Sequence, residues 1–251
     1  MGPKTTAEAA AQAQQRTILL PDIDWVEIPG GEFVYQDRGR RSLRTFHMAR
    51  YPVTNFQYQT FMNAGGYWDE RWWAALVRPE PERSHWRQAN RPRTNVDWYE
   101  AVAFSRWLSA KLGYEVRLPT EEEWERAARG HDGREYPWGE DYQTGYANTD
   151  EKGAKAGDWS LGQTIAVGVY LHEASTEGVL DLAGNVWEWC VNKYKRPDQI
   201  AADTSGDSRV LRGGAWLSLP DLARGSQRYW YLPDYRDYLI GFRLVSSAPI
   251  A

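Results

Sequence analysis

Residues 229–238 concentrate side chains suited to molecular recognition rather than to catalysis. Five aromatic residues stand within these ten positions: Tyr229, Trp230, Tyr231, Tyr235 and Tyr238. Large rigid amphipathic rings mixed with small polar residues are the composition of a binding surface. The mixture follows neither the helical nor the strand period. We therefore predict a displayed contact face within residues 209–245, between a scaffold strand and a closing strand.

Residues for metal or nucleophilic chemistry are few and scattered. The chain has one cysteine, Cys190, and four histidines without the spacing of a helical metal motif: His47, His85, His131 and His172. A lone cysteine forms no disulfide within the chain, which fits a reducing compartment. We interpret the histidines as structural or solvent-exposed.

Three helices that would position the contact face are predicted from capping residues and terminal glycines. They run from Thr54 to Gly65, from Asp97 to Gly113 and from Thr120 to Gly130. The first and third start with capping boxes completed by Gln57 and Glu123. The second carries an apolar stripe along one side, which is typical of a helix packed on a core.

Short strands are predicted around these helices. Residues 24–36 alternate apolar and polar positions about a double glycine, which favours a hairpin. Residues 45–49 are a third candidate strand. The stretch 131–208 is rich in turn residues and offers two more candidates, at 164–170 and 186–191.

Two main helices beside short strands and long loops predict an irregular α+β fold. We expect one domain over residues 21–251, preceded by a flexible N-terminal tail at 1–20. A Trp-, Arg- and Pro-rich insertion at 67–94 either packs over the sheet or borders the contact face.

The overall composition argues against nucleic-acid and membrane partners. The formal net charge of −4 gives no basic footprint for nucleic acid. No apolar stretch approaches the ~18 residues of a membrane span, and the N-terminus lacks the apolar core of a secretory signal. We expect a monomer in the cytoplasm, with no nucleic-acid partner and no membrane span.

Seven segments resemble, in order, the motifs of the formylglycine-generating-enzyme (sulfatase-modifying factor) family. They are YPVTNFQY (51–58), VDWYEAVAFSRWL (96–108), RLPTEEEWERAARG (117–130), YPWG (136–139), DLAGNVWEW (181–189), RVLRGGAW (209–216) and IGFRLV (240–245). The resemblance covers about residues 22–246. It implies the C-type lectin fold of that family: two main helices, small antiparallel sheets and extensive ordered loops.

The chain departs from the known chemistries of the family. Formylglycine-generating enzymes use a copper-binding cysteine pair between the RGGSW-like and GFR-like segments, and residues 215–240 contain no cysteine. Cys190 lies elsewhere and is alone, so it does not build a soft thiolate site. The ergothioneine-type sulfoxide synthases need a histidine-rich iron site on an added N-terminal helical domain, and the four histidines here do not match it.

The chain also resembles the variable proteins of diversity-generating retroelements, which use this fold to display a hypervariable C-terminal surface. A reverse transcriptase there copies a template while randomising its adenines. The predicted variable positions are Leu217, Ser218, Leu219, Leu222, Gln227, Tyr229, Trp230, Tyr231, Leu232, Tyr235, Asp237, Tyr238 and Leu239. The predicted constant frame is Trp216, Pro220, Arg224, Arg228, Pro233, Arg236 and Gly241. An AAC template codon yields Leu, Ser, Tyr or Asp, whereas Gln227 and Trp230 require another template codon.

The family resemblance also implies a calcium site in the segment 181–189. The four corresponding ligands are the Asp181 side chain, the carbonyls of Gly184 and Val186, and the Glu188 carboxylate. Mixed carboxylate and carbonyl oxygens suit a hard cation. Asn148 with Asp158 marks a weaker second candidate. Apart from this structural calcium, no cofactor is required.

Together these observations predict a non-enzymatic ligand-binding protein. Its C-terminal recognition surface is diversified by a retroelement, and its unknown ligand is expected to be a protein. The alternative is an oxidoreductase of the formylglycine-generating or sulfoxide-synthase type with atypical metal ligands. A regulatory or structural module is a third hypothesis.

Overall fold

The computed structural model describes residues 19–36 and 39–247. The predicted N-terminal tail lies outside the described residues except for Leu19 and Leu20. None of the helices within the two described ranges is long and apolar enough to cross a bilayer.

The three predicted helix starts are confirmed. The helices are α1 (Asn55–Asn63), α2 (Trp98–Leu112), α3 (Glu121–Arg129) and a short α4 (Glu151–Ala154). Shorter 3₁₀ turns span Gly66–Trp68, Glu70–Trp73, Leu171–Glu173 and Pro220–Ala223. Both predicted capping boxes form, and Asp97 with Glu100 makes a third, because the Glu100 amide donates to Asp97 Oδ1 at 2.8 Å. Local capping chemistry therefore sets where each main helix begins.

In the part of the chain that the structure describes, nine short strands form three sheets. The strands are β1 (Trp25–Ile28), β2 (Gly31–Val34), β3 (Arg40–Leu43), β4 (Phe46–Ala49), β5 (Trp187–Lys193), β6 (Arg209–Arg212), β7 (Arg228–Tyr231), β8 (Ile240–Gly241) and β9 (Val245–Ser246). The sheet orders are β1-β4-β9, β2-β3 and β7-β6-β5-β8. All pairings are antiparallel except the parallel pair β5–β8. The candidate strands at 45–49 and 186–191 are thus confirmed.

The hairpin predicted for residues 24–36 is wrong. Strand β1 pairs with β4, whereas β2 pairs with β3, so the double glycine joins two sheets. Gly31 has a φ of 134°, a conformation that favours glycine and turns the chain away from β1. Gly30 leaves no room for a side chain, because an added Cβ would meet the Thr45 amide nitrogen at 2.6 Å.

The strand predicted at 164–170 is also wrong. This stretch is irregular, and side chains of the segment 181–185 hold its backbone. The Ile165 amide donates to Asn185 Oδ1 at 3.0 Å, and the Gly168 amide donates to Asp181 Oδ2 at 2.6 Å. Side-chain acceptors therefore replace the strand partner that this backbone would otherwise need.

The central strands β5 and β6 of the four-stranded sheet are buried on both faces. Trp189 and Leu211 pack into a core with α1 and α2. Cys190 and Val210, their neighbours along the strands, pack into a second core with Trp124 of α3. Because strand side chains alternate between faces, β5 and β6 contribute to both cores at once.

An ion pair lies completely inside this arrangement. Arg243 donates to both oxygens of Glu188, at 2.6 Å and 2.7 Å, and both side chains are at most 1% exposed. The Trp124 indole also donates to Glu188, at 2.7 Å. The remaining Arg243 donors reach main-chain oxygens, including that of Leu180 at 3.0 Å. Every polar group of the pair is therefore satisfied by hydrogen bonds.

We predict that Arg243→Met lowers the free energy of unfolding by about 3–5 kcal/mol, because it leaves the Glu188 charge buried without a partner. Urea denaturation measures this loss. The matched control is Arg40→Met, since Arg40 pairs with Glu32 on the surface, with side chains 74% and 64% exposed. The control should change stability by less than about 1 kcal/mol. Equal effects of the two substitutions would contradict the role assigned to the buried pair.

A candidate recognition surface at residues 217–239

Most of the predicted variable side chains reach solvent. Eight of them are 36% to 50% exposed, and we call these eight the recognition surface: Leu217, Leu219, Leu222, Tyr229, Trp230, Leu232, Tyr235 and Tyr238. Four more are half-buried: Gln227, Tyr231, Asp237 and Leu239. Exposed apolar side chains that cluster are candidates for an interaction site.

Ser218 departs from the predicted set, because its side chain is only 7% exposed. Its hydroxyl accepts a hydrogen bond from the Ala215 amide at 2.9 Å, and its own amide donates to the Ala215 carbonyl at 2.8 Å. Its carbonyl accepts from the Asp150 amide at 2.9 Å. Ser218 therefore shapes the turn that presents its neighbours and is not itself displayed.

Part of the surface follows a strand period, contrary to the prediction. Tyr229, Trp230 and Tyr231 belong to β7, an edge strand of the four-stranded sheet. Tyr231 packs against the core that contains α2, whereas Trp230 lies beside Tyr194, with ring centroids 6.0 Å apart. Trp230 thus lies on the opposite face of β7 from its two tyrosine neighbours. The five aromatic residues do not form one patch.

One aromatic row runs across the face that Tyr229 shares with Tyr231. The centroid of Tyr229 lies 5.4 Å from that of Trp187 and 5.5 Å from that of Tyr231. Tyr231 stacks on Tyr235 at 4.0 Å. Such contacts hold the rings in place before any partner arrives, which reduces the entropy lost on binding.

Tyr231 and Tyr235 of this row act as neutral groups. Burial, and then the neighbouring Tyr235, raise the pKa of Tyr231 to about 12. Burial and the Asp237 carboxylate likewise raise the pKa of Tyr235. At neutral pH both hydroxyls keep their protons, and the Tyr235 hydroxyl donates to Asp237 Oδ2 at 3.2 Å.

One part of the insertion at 67–94 borders the contact face, which was one of the two alternatives, whereas another part packs against α1 and α2 rather than over the sheet. Tyr67 and Trp73 are buried in the core against α1 and α2. Trp86 instead borders the recognition surface, where its ring lies 6.1 Å from Tyr238 and 5.6 Å from Trp216. The insertion therefore forms one rim of the surface.

Two frame arginines tie the surface segment to helix starts. Arg228 donates to both oxygens of Glu121, the first residue of α3, at 2.7 Å and 3.1 Å, and Glu121 is completely buried. Arg236 lies 3.0 Å from Glu100 and 3.6 Å from Asp97, at the start of α2. Burial and the Glu100 charge raise the pKa of Asp97 to about 8, and Arg236 opposes this shift.

Main-chain bonds reinforce the attachment to α2. The Trp98 amide, in the first turn of the helix, donates to the Pro233 carbonyl at 3.0 Å. The Asn95 amide donates to the Asp237 carbonyl at 3.0 Å. The helix start would otherwise leave its amides without partners. The surface segment is therefore held rigidly although it contains little regular structure.

The residues of the predicted calcium site are already hydrogen-bonded. Both Glu188 oxygens accept from Arg243, and the two Asp181 oxygens accept from the Gly168 amide and, at 3.0 Å, from Asn185 Nδ2. A guanidinium beside Glu188 disfavours a second cation there, so this arrangement does not fit a calcium ion at Glu188. Within residues 19–36 and 39–247, no group of three His, Cys, Asp or Glu side chains is placed to hold a metal. Calcium binding through Asp181, Gly184, Val186 and Glu188 stays a prediction.

The weaker calcium candidate also stays a prediction. Asn148 is buried and its side-chain oxygen has no hydrogen-bond partner, whereas Asp158 is exposed.

Cys190 is not placed for nucleophilic chemistry. Its side chain is completely buried beneath α3, and burial raises its pKa well above the ordinary value. The thiol therefore stays protonated, and the protonated form is a poor nucleophile and metal ligand.

Residues 8–248 match the family of sulfatase-modifying factor enzyme 1-like domains. The chain belongs to this family. Membership agrees with the seven motifs in the sequence, and it covers both the sheet core and the recognition surface.

Relatives in the family differ in activity. Hercynine oxygenase of Mycobacterium tuberculosis is 34% identical over an alignment of 243 positions, which covers 79% of this chain and 52% of the relative. The chain thus spans about half the length of that enzyme. Inactive C-alpha-formylglycine-generating enzyme 2 of Bos taurus is 30% identical, with 90% of this chain and 89% of the relative covered.

Among solved structures, Treponema denticola variable protein 1 shares the fold. It superposes with a TM-score of 0.66 at 23% identity and covers 90% of this chain and 95% of its own. The prediction of an α+β, C-type lectin fold of the formylglycine-generating-enzyme type is therefore confirmed.

Sequence reasoning missed the carboxylates that hold the frame. The sequence analysis assigned no role to Glu100 or Glu121, because their arginine partners lie more than one hundred positions away. It also missed Trp187, which supports Tyr229 from strand β5. One sequence signal could have indicated these ion pairs: arginines are interleaved with the predicted variable positions.

We predict that Arg236→Met loosens the surface segment, because Glu100 loses its partner and the chain loses an anchor on α2. Amide hydrogen exchange at Asn95 and Trp98 should accelerate about 10-fold or more. The control is Arg40→Met, since Arg40 pairs with Glu32 on the surface outside this segment, with side chains 74% and 64% exposed. Unchanged exchange in Arg236→Met would show that this pair does not anchor the surface.

Proposed function

We propose that this chain is a non-enzymatic ligand-binding protein whose recognition surface is diversified by a retroelement. One observation carries the proposal. Exposed side chains such as Leu217 and Tyr238 alternate in sequence with arginines such as Arg228 and Arg236, which are committed to carboxylates of the helices. Within this one segment, the residues that face solvent are therefore different from the residues that attach the backbone to the helices.

This separation allows many surfaces on one fold. Substitutions at exposed positions away from packed or paired groups usually change stability by less than about 0.5 kcal/mol. Substitutions at buried ion pairs cost several-fold more. A segment that varies only at its exposed positions therefore keeps the frame while the contact chemistry changes.

A protein is the favoured partner. Exposed leucines and tyrosines supply apolar area with hydrogen-bonding tips, and tyrosine and tryptophan are enriched among residues that dominate binding energy between proteins. The net charge of −4 does not favour nucleic acid. A fold shared with a variable protein of Treponema denticola agrees with this function.

The second candidate is an oxidoreductase, favoured by the 34% identity to a hercynine oxygenase. Metal analysis of protein produced with added iron and copper separates the two hypotheses. About one tightly held iron or copper per chain, with oxygen consumption in the presence of hercynine, would support the enzyme. Neither signal is expected from a binding protein.

We predict a near-copy of the codons for residues 209–245 in the DNA beside this gene, close to a reverse transcriptase gene. The copy should differ from the gene only where the copy carries adenine. Those differences should fall on exposed positions such as Leu217 and Tyr235 and spare the codons of Arg228 and Arg236. A flanking region without such a copy would contradict diversification by a retroelement.

We predict that Leu217→Ala weakens binding to a protein partner about 10-fold, because the complex loses the apolar area that Leu217 buries. The control is Leu171→Ala, because Leu171 is 70% exposed but lies outside the recognition surface. Surface plasmon resonance measures the affinity, and thermal denaturation should show both variants near the wild-type Tm. Equal affinity of the two variants would remove Leu217 from the contact.

A further inference from the structure

A cavity outside the recognition surface lies between α1 and the segment 81–93. Its volume is ≈ 600 Å³. None of the predicted variable residues lines it. The proposed partner binding therefore does not account for this cavity.

Three arginines line the cavity: Arg83, Arg87 and Arg93. Within residues 19–36 and 39–247, none of them forms an ion pair with a carboxylate. Glu82 also lines the cavity, but its carboxylate lies 3.2 Å from Arg236, which belongs to the frame of the recognition surface. The cavity therefore carries an excess of positive charge.

Arg93 is the most informative of the three. It is only 6% exposed, and its Nε has no hydrogen-bond partner. Its guanidinium lies over the Tyr58 ring at 4.4 Å from the centroid and donates to the Glu82 carbonyl. The nearby carboxylate of Glu100 is engaged by Arg236 at 3.0 Å. A buried cation with an unused donor favours an anion in the adjoining space.

Apolar side chains also line the cavity. Phe56, which is 52% exposed, and Met62 line it from α1, and Pro81 lines it from the facing segment. An exposed phenylalanine gains stability when a ligand covers its ring. A ligand that suits both the arginines and these apolar side chains has an anionic group and an apolar body.

Hydrogen bonds hold the two walls together without a ligand. Asn55 Nδ2 donates to the Trp86 carbonyl at 2.9 Å, and the Phe56 amide donates to the Ala89 carbonyl at 2.9 Å. The Arg93 amide donates to the Val53 carbonyl at 2.7 Å. The cavity is therefore preformed, which is usual for small-molecule sites.

We propose that this cavity binds a small organic carboxylate, with its charge at Arg83, Arg87 and Arg93 and its apolar body against Phe56 and Met62. Planar guanidinium groups recognise carboxylates through paired hydrogen bonds. The site is separate from residues 217–239, so its failure would leave the proposed function untouched.

Isothermal titration with phenylacetate, acetate and inorganic phosphate tests the site. Phenylacetate should bind with one site per chain and at least about 10-fold more tightly than acetate, because only phenylacetate covers Phe56. Phe56→Ala should abolish that difference. Tighter binding of phosphate than of phenylacetate would overturn an apolar-bodied carboxylate as the ligand.

Charge variants localise the binding. Arg87→Ala should weaken phenylacetate about 10-fold through the loss of one charged hydrogen bond. Arg44→Ala is the control, because Arg44 is equally exposed but does not line the cavity. Saturable binding that is equal in both variants, or no saturation in the wild-type protein, would overturn the proposal.

Discussion

The structure depends on arginines that neutralise buried carboxylates. Arg243 and Glu188 join the last segment of the chain to β5, and Trp124 brings α3 to the same carboxylate. Arg212 does the same for Glu125 of α3, at 2.5 Å. Because a buried charge without a partner is strongly unfavourable, arrangements of strands and helices that separate these pairs are disfavoured. They compensate for strands of at most seven residues and for long irregular loops.

The same chemistry explains how a loop-rich segment becomes a firm surface. Arg228 and Arg236 use carboxylates at the first turns of α3 and α2, where negative charge also suits the helix dipole. The chain between these anchors is free to carry side chains that the fold does not need, such as Leu232. Recognition chemistry can therefore vary while the backbone stays in place. Ser218 marks the limit of this freedom, because its hydroxyl is part of the turn.

The helices were predictable because their signals are local. The caps Thr54, Asp97 and Thr120 each bond a backbone amide within three residues. Strand pairing was not predictable, because β1 selects β4 over β2 through long-range packing. The sequence also did not show that Tyr229 and Trp230 lie on opposite faces of the sheet, because this depends on the pairing of β7 with β6. The family motifs predicted the overall fold, which the local patterns did not determine. The carboxylate partners of the frame arginines could be identified only from the three-dimensional structure.

The most direct test of the account is a substitution scan of residues 209–245 with resistance to proteolysis as the measure of folding. The account predicts two interleaved classes of position. Leu217 and Tyr238 should accept polar residues with little loss of folded protein, whereas Arg228 and Arg243 should reject even lysine, which lacks the planar fork of arginine. A scan in which the exposed and the ion-paired positions tolerate substitution equally would contradict the separation of surface from frame.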